Sequence, residues 1–410
     1  MIKIYDTVVV GSGPGGFTSA LILAKGGLKV ALLEAEELGG TCLNRGCIPK
    51  EGLYRIAKEA YSLRKKGFEV KLDFERALKY VRTRINQIKA NAEFLLKREG
   101  IDLIKGIGVL VDENTVKVGK NLYLRGEHVV LACGSKPKER HTSPEDVLTG
   151  KVLPRGKVLI EGSGASACEL SFILSTFGYH VYLRVEGRLL KDYPVDEDMV
   201  EKLEEELELC GVKFVDSVID ADLHVKATGR VPNFCKESFP FLEFDQEGYV
   251  KVDECMRTNI KNIYAVGDIT KPMGASHAIA KAKSACQSIM DLYSPYRPEL
   301  VPIVICSALE LGFVGSYEAR HKKITKTLNA NTKSFVNGRR GIISMYVDEE
   351  GRLSYFSIVG EEVSEALNLI SFTMNNALWD DQLFRMPYNT HPSLCEYFGD
   401  IALDYSVNRV

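Results

Sequence analysis

The 410-residue chain has almost no net charge, with 53 Lys and Arg against 55 Asp and Glu leaving −2. That balance removes the electrostatic case for binding nucleic acid or an anionic membrane surface. No run reaches the ~18 consecutive apolar residues of a membrane-spanning helix. The N-terminus enters an apolar strand without the basic and apolar segments of a secretory signal, so a cytoplasmic location is expected. C-x-x-C pairs and His/Cys sets at zinc spacing are missing too, and no metal is expected. Ten cysteines in a long cytosolic chain read mostly as reduced, small core residues. That reading applies to Cys168, Cys210, Cys255, Cys286 and Cys306. An apolar content of 45% can bury more than one core, and the length implies two to three domains.

What is present is a complete dinucleotide pattern at the start. An apolar strand, Tyr5 to Val10, leads into Gly11-Ser12-Gly13-Pro14-Gly15-Gly16, an apolar helix from Phe17 to Ala24, and a second strand from Leu28 to Leu33 that ends at Glu34. Gly11 allows the tight turn, Gly13 lets the backbone approach a pyrophosphate, and Gly16 lets helix and strand pack closely. The helix N-terminus offers N–H groups to phosphate, and Glu34 is placed to accept from ribose hydroxyls. Just downstream, Gly39-Gly40-Thr41-Cys42-Leu43-Asn44-Arg45-Gly46-Cys47-Ile48-Pro49-Lys50 holds two cysteines five apart, able to close a small reducible ring. A second Rossmann start follows at Lys157 to Ile160, with Gly162-Ser163-Gly164-Ala165-Ser166-Ala167, an apolar helix to Phe177 and a strand from His180. Two nucleotide sites are therefore expected. The first of them adjoins the cysteines.

Between them, Asp73 to Gly100 reads as a long amphipathic helix, with Phe74, Leu78, Val81, Ile85, Ile88, Ala92 and Leu95 at core spacing. Alternating runs at Thr115-Val116-Lys117-Val118 and Leu122-Tyr123-Leu124 predict a small antiparallel meander.

From Tyr5 to Lys50 the chain resembles the FAD-dependent pyridine nucleotide-disulfide oxidoreductases, and within them the dihydrolipoamide dehydrogenases, whose hallmark is G-G-T-C-L-N-x-G-C-I-P. The likeness runs along nearly the whole chain. Leu131-Ala132-Cys133-Gly134-Ser135-Lys136-Pro137 resembles the family's A-T-G-S-x-P turn, with Cys133 in place of threonine, and Ala227-Thr228-Gly229-Arg230-Val231-Pro232-Asn233 resembles its second such turn. Tyr264-Ala265-Val266-Gly267-Asp268 resembles the flavin motif, in which the aspartate binds the ribityl chain. His391-Pro392-Ser393-Leu394-Cys395-Glu396 resembles H-P-T-x-S-E.

The resemblance implies an α/β, glutathione-reductase-like fold with two Rossmann-like dinucleotide-binding domains and a C-terminal α+β dimerisation domain. The FAD domain would cover 1–150 and 233–297, a shortened NAD(P) domain 151–232, and the interface domain 298–410. Cys42 would be the interchange thiol and Cys47 the thiol that passes electrons to the flavin. The base would be His391 of the partner subunit, oriented by Glu396, which implies a homodimer. Lys50 and Glu169 would form an ion pair beside the flavin ring. FAD contacts are implied at Gly11, Gly13, Pro14, Gly15, Gly16, Glu34, Gly40, Thr41, Gly134 and Asp268. Nicotinamide-nucleotide contacts are implied at Gly162, Gly164, Arg184, Glu186, Arg188 and Gly229.

The second half departs from the family. Only 63 positions separate Gly164 from Ala227, so a covering sheet excursion is expected to be missing. Seven residues on from Gly27 stands Glu34, but seven on from Gly178 stands Val185, between Arg184 and Glu186. The acid that reads an NAD ribose is absent there, and arginines can accommodate a 2′-phosphate, which leaves NAD and NADP both open. The leading expectation is oxidation of dihydrolipoyl groups on a lipoyl-bearing protein domain. The alternatives are NADPH-dependent reduction of a small disulfide and a flavin electron-transfer protein with an impaired nicotinamide site.

Overall fold

The computed structural model describes residues 1–376 other than 140, 235, 339 and 340, together with 393–395 and 398. The chain opens with β1 (Ile2–Val10), α1 (Pro14–Lys25) and β2 (Val30–Glu34). The short α2 (Gly40–Asn44), α3 (Cys47–Lys65) and α4 (Phe74–Arg98) follow, then β3 (Asp102–Lys105), β4 (Gly108–Asp112), β5 (Thr115–Val118) and β6 (Leu122–Leu131). β4, β5 and the start of β6 form the expected antiparallel meander, and β6 also lies parallel to β1, Val10 beside Leu131. β1 begins earlier than its apolar pattern because Ile2 to Tyr5 pair with Tyr123 to Gly126.

After β7 (Ser135–Pro137) and α5 (Pro144–Leu148), the Rossmann order repeats in β8 (Lys157–Glu161), α6 (Ala165–Thr176), β9 (His180–Arg184), α7 (Glu197–Leu209), β10 (Lys213–Val215) and β11 (Leu223–Lys226). Then come β12 (Arg230–Pro232), β13 (Ile263–Ala265) and α8 (Ala275–Ile289). The last elements are β14 (Ile303–Ile305), β15 (Glu310–Gly315), β16 (Lys322–Thr327), α9 (Thr332–Val336), β17 (Ile342–Val347), β18 (Leu353–Gly360) and α10 (Val363–Asn375).

Contacts gather these elements into two units, Met1–Leu53 with Asp73–Leu153 and Gly229–Pro298, and Tyr54–Leu72 with Pro154–Thr228 and Glu299–Val410. The first unit holds a seven-stranded sheet, β3-β2-β1-β6-β5-β4 with β13 beside β6, and a ribbon of β7 against β12. The second holds a parallel four-stranded sheet, β10-β9-β8-β11, and an antiparallel five-stranded sheet, β14-β15-β18-β17-β16.

The two Rossmann halves are built on one template. Gly11 N–H donates to Leu33 O at 2.7 Å, and Gly162 N–H to Arg184 O at 3.0 Å. Ala132 N–H donates to Val10 O and Ala227 N–H to Glu161 O, both at 2.7 Å. These bonds equate Val10 with Glu161, Leu33 with Arg184, and Glu34 with Val185.

The equivalence exposes what the missing excursion did. In the first sheet one face packs Val9, Leu32 and Val130 under α1 and α8, while the other packs Val8, Val10, Ala31, Leu33, Val129 and Leu131 under the meander. In the second sheet seven residues, Asp216 to Asp222, join β10 to β11 directly, with no meander between. The face equivalent to the meander-covered one now reads Leu159, Glu161, Tyr182, Arg184, His224 and Lys226. On this face Leu159 and Glu161 are buried, Tyr182, Arg184 and Lys226 half-buried and His224 exposed, so polar groups stand at most of the positions where the first sheet has sealed apolar ones.

Two readings of the sequence are corrected by packing. Ile88 is 41% exposed, and the buried stripe of α4 runs Phe74, Ala77, Leu78, Val81 and Ile85, then resumes at Leu96 against Ile101 and Leu38. The core contact shifts by one position in the last turns, as a 3.6-residue period drifts against a straight contact line. Cys210 is half-buried at the end of α7, unlike Cys168, Cys255, Cys286 and Cys306, which are core residues.

The equivalent positions of the two sheets predict a reciprocal experiment, Val129 being fully buried and His224 exposed. Val129→His should destabilise the protein by about 3 kcal/mol or more, because it places an imidazole in a sealed apolar cluster. His224→Val, at the equivalent exposed position, should change stability by no more than about 0.5 kcal/mol. Urea titration of both variants checks this, and equal losses would refute the face assignment.

Candidate active site

The first glycine turn is closed around itself. A Cβ on Gly16 would sit 1.8 Å from Gly11 O, so only glycine lets α1 approach the end of β1 this closely. Gly13, which caps α1 without any side-chain hydrogen bond, has nothing within 4 Å of where a Cβ would stand, and the same is true of Gly134. Room, an uncapped helix N-terminus and a strand-end carboxylate together fit the pyrophosphate and ribose of a dinucleotide.

The cysteine loop is fastened to this turn. Gly39 N–H donates to Ser12 Oγ at 3.0 Å, and Ser12 Oγ in turn donates to Glu34 Oε2, which also accepts Ser12 N–H at 3.0 Å. Ser12 is fully buried. A Cβ on Gly40 would lie 2.9 Å from Gly13 Cα, so the two glycine segments touch backbone to backbone. From there α2 carries Cys42, and Arg45 N–H and Gly46 N–H both donate to Thr41 O at 2.8 Å, folding the chain back so that Cys47 opens α3.

The two cysteines stand as a dithiol pair whose side chains hydrogen-bond to each other. The Cys42 thiol is held far above its ordinary range, first by that hydrogen bond, then by burial and the charge on Cys47, with Asp268 adding to it. Cys47 is the first residue of the 19-residue α3, where the helix dipole favours a thiolate.

Asp268 is gripped on both oxygens, by Gly274 N–H at 2.8 Å and by Ser135 Oγ at 2.6 Å. Arg230 holds Ser135 twice, through Nε to Oγ and Nη2 to the carbonyl, each at 2.7 Å, and pairs with Glu145 through Nη1. The second oxygen of Glu145 lies 4.0 Å from Nε of Arg45, between the two cysteines. The two glycine-proline turns singled out in the sequence meet here, because Ser135 and Arg230 belong to the paired strands β7 and β12.

The second glycine turn shares the geometry and lacks the readout. Gly164 also faces open space and caps α6 without a side chain. At the strand end stands Val185, with no carboxylate. Arg184 lies instead on the sheet face, with Nη1 2.8 Å from Glu161 and 3.3 Å from Glu186. Arg188 donates to Val195 O at 3.1 Å.

The Lys50 ammonium is 3.7 Å from Glu51, and Glu169 accepts from Cys306 N–H at 3.2 Å. His391 and Glu396 lie outside the described residues. Nearby Ser393 O accepts from Asn331 at 2.9 Å, and Leu394 and Phe398 enter the core of the five-stranded sheet. Among the described residues no group of three or more His, Cys, Asp or Glu could hold a metal ion. Nor is any described helix long and apolar enough to cross a membrane.

Residues 5–218 and 215–282 match the family model for pyridine nucleotide-disulphide oxidoreductases. The chain belongs to this family. It is 27% identical to the dihydrolipoyl dehydrogenase of Chlamydia pneumoniae over 98% of this chain and 97% of the relative. In fold it is similar to the HOCl-induced flavoprotein disulfide reductase RclA from Escherichia coli, with TM-score 0.84 at 23% identity over 97% of this chain and 99% of that one. It is also similar to LpdA from Mycobacterium tuberculosis, with TM-score 0.89 at 20% identity over 97% and 99%. The α/β architecture with two Rossmann-like halves is thus that of the flavoprotein disulfide reductases.

Within this family frame, Ser12, Ser135, Arg230, Glu145 and Arg45 are residues of the candidate site that motif matching passed over. Ser12 is the position between two diagnostic glycines, where a pattern records any residue. Its role predicts that Ser12→Ala loosens the cysteine loop by about 1–3 kcal/mol, the worth of the hydrogen bonds lost. Faster reaction of Cys42 and Cys47 with an aromatic disulfide reports the loosening, and unchanged rates would mean that Ser12 does not hold the loop.

Proposed function

We propose that this flavoprotein disulfide oxidoreductase is a dihydrolipoamide dehydrogenase, oxidising protein-bound dihydrolipoyl groups and passing the electrons to NAD(P)⁺. The observation that carries the reading is the hydrogen-bonded Cys42 and Cys47 pair fastened through Ser12 to a dinucleotide turn. The curated relatives named dihydrolipoyl dehydrogenase support the substrate class. FAD would be held by the Gly11 to Gly16 turn, Glu34, Gly40, Thr41, Gly134 and Asp268. When bound, it takes two electrons from a dithiol and delivers a hydride to NAD(P)⁺.

The chain's own residues do the thiol chemistry. A substrate thiolate attacks Cys42 Sγ of the Cys42–Cys47 disulfide and forms a mixed disulfide, and Cys47 leaves as the thiolate that the start of α3 favours. The second substrate thiolate then attacks the substrate sulfur of the mixed disulfide, releasing cyclic disulfide and Cys42. His391 of the partner subunit, oriented by Glu396, is the proposed base that takes the substrate's proton, which makes the active species a homodimer. Lys50 and Glu169 are proposed to lie beside the flavin ring. The functional division is into an FAD domain over 1–150 and 233–297, an NAD(P) domain over 151–232 and an interface domain over 298–410, working in the cytoplasm.

Cys42→Ser should retain the flavin and lose dihydrolipoamide oxidation by at least about a thousandfold, the scale for removing a covalent nucleophile. An anaerobic assay with dihydrolipoamide and each nicotinamide checks this, and turnover by the variant would exclude the assignment.

The nicotinamide choice follows from Val185 and from where Arg184 is bound. With no acid to bond the 2′-hydroxyl and repel a 2′-phosphate, NADPH and NADH should be used within about tenfold of each other. Arg184→Ala should leave that ratio unchanged, because the guanidinium is committed to Glu161. Val185→Glu, copying Glu34, should tilt binding toward NADH by about tenfold or more, read directly by titrating nucleotide fluorescence. A wild-type preference for NADPH beyond that range, abolished in Arg184→Ala, would favour the alternative of an NADPH-dependent reductase of small disulfides.

A further inference from the structure

Lys281, in the middle of α8, is fully buried. Its Nζ lies 2.7 Å from Pro272 O, 3.1 Å from Thr270 O and 3.3 Å from Gly267 O. Three acceptors match the three donors of an ammonium, and all three belong to one segment, the Gly267–Pro272 turn that follows β13. That turn carries Asp268, whose carboxylate is aimed at Ser135 and Gly274.

We infer that Lys281 is a positioning residue for the flavin: its buried ammonium ties down the segment that presents Asp268, so flavin retention depends on whether this lysine is protonated. The inference rests on the reading of Asp268 as the residue that holds the flavin's ribityl chain.

The groups facing the ammonium come from each element packed on it. His277 lies one turn earlier on α8, Asp268 is on the turn itself, and the Tyr296 ring, from the chain beyond α8, has its centroid 5.7 Å away. Tyr296 Oη pairs with His277 Nδ1 at 2.7 Å. Burial pulls Lys281 down from its usual value to about 7, against the pull of Asp268 in the other direction. Burial and the neighbouring Lys281 charge lower His277 to about 4, which removes it from titration above pH 6. A neutral amine keeps two donors and turns a lone pair toward the third carbonyl. The segment therefore loses one hydrogen bond and gains a repulsion as pH rises through neutrality, and flavin should leave faster at high pH.

The test follows release of flavin fluorescence from the purified yellow protein between pH 6 and 9, with thermal melting of each sample as a control. Wild type should release flavin about tenfold faster at pH 9 than at pH 6, the effect of one charged hydrogen bond. Lys281→Met should release it fast at every pH, with no step. A flat wild-type profile, or a Lys281→Met profile that keeps the step, overturns the inference. If Lys281→Met does not fold, the wild-type profile still decides. Wild type that binds no flavin at all would instead refute the reading of the first nucleotide site, and this inference with it.

Discussion

The hydroxyl of Ser12 is the joint on which the site depends. It accepts from Gly39 and donates to Glu34, so the first glycine turn, the strand-end carboxylate and the root of the cysteine loop form one hydrogen-bonded object. Because Ser12 is fully buried, water does not compete for these bonds, and their geometry is correspondingly stiff. The contact of Gly40 with Gly13 adds a steric stop at the same point. The thiol pair is thereby held at one fixed separation from the first glycine turn.

The same turn recurs in the second half with its surroundings rewritten. The backbone bonds that close Gly11 close Gly162 as well, so the room for a pyrophosphate is preserved. The second sheet has no meander between β10 and β11, and the residues equivalent to Val10 and Leu33 are the ion pair Glu161 and Arg184. Arg184 is paired with the buried Glu161, which would otherwise be left with an unmatched charge.

Around Asp268 a second set of fixed charges supports the first. Arg230 reaches Ser135 and Glu145 from β12, and Glu145 extends the series toward Arg45 in the cysteine loop. Arg230, Glu145 and Arg45 are each half-buried and paired on two sides. Rearrangement of one would leave a partner with an unmatched charge in a poorly hydrated place, which keeps the set in one arrangement.

Much of this was determined by the sequence alone. Strand, turn, helix, strand and acid from Tyr5 to Glu34 are local, since a period-2 run, glycines at set offsets and a 3.6-period run each impose their own backbone. The spacing of Cys42 and Cys47 follows the same logic, as does the meander at Thr115 to Leu124. Other features belong to contacts between distant segments. Ser12 is an unremarkable position until Gly39 folds over it, and Ser135 meets Arg230 only when β7 pairs with β12, 95 residues apart. Arg184 reads in sequence as an available cation near a nucleotide site, and only register with Glu161 reveals its partner. Lys281 looks like one of several surface lysines on a helix until the Gly267–Pro272 turn packs over it. Periodicity and motif spacing report what the backbone must do locally, whereas the partner of a long polar side chain is chosen by whichever segment tertiary packing brings within 3 Å or so of its tip.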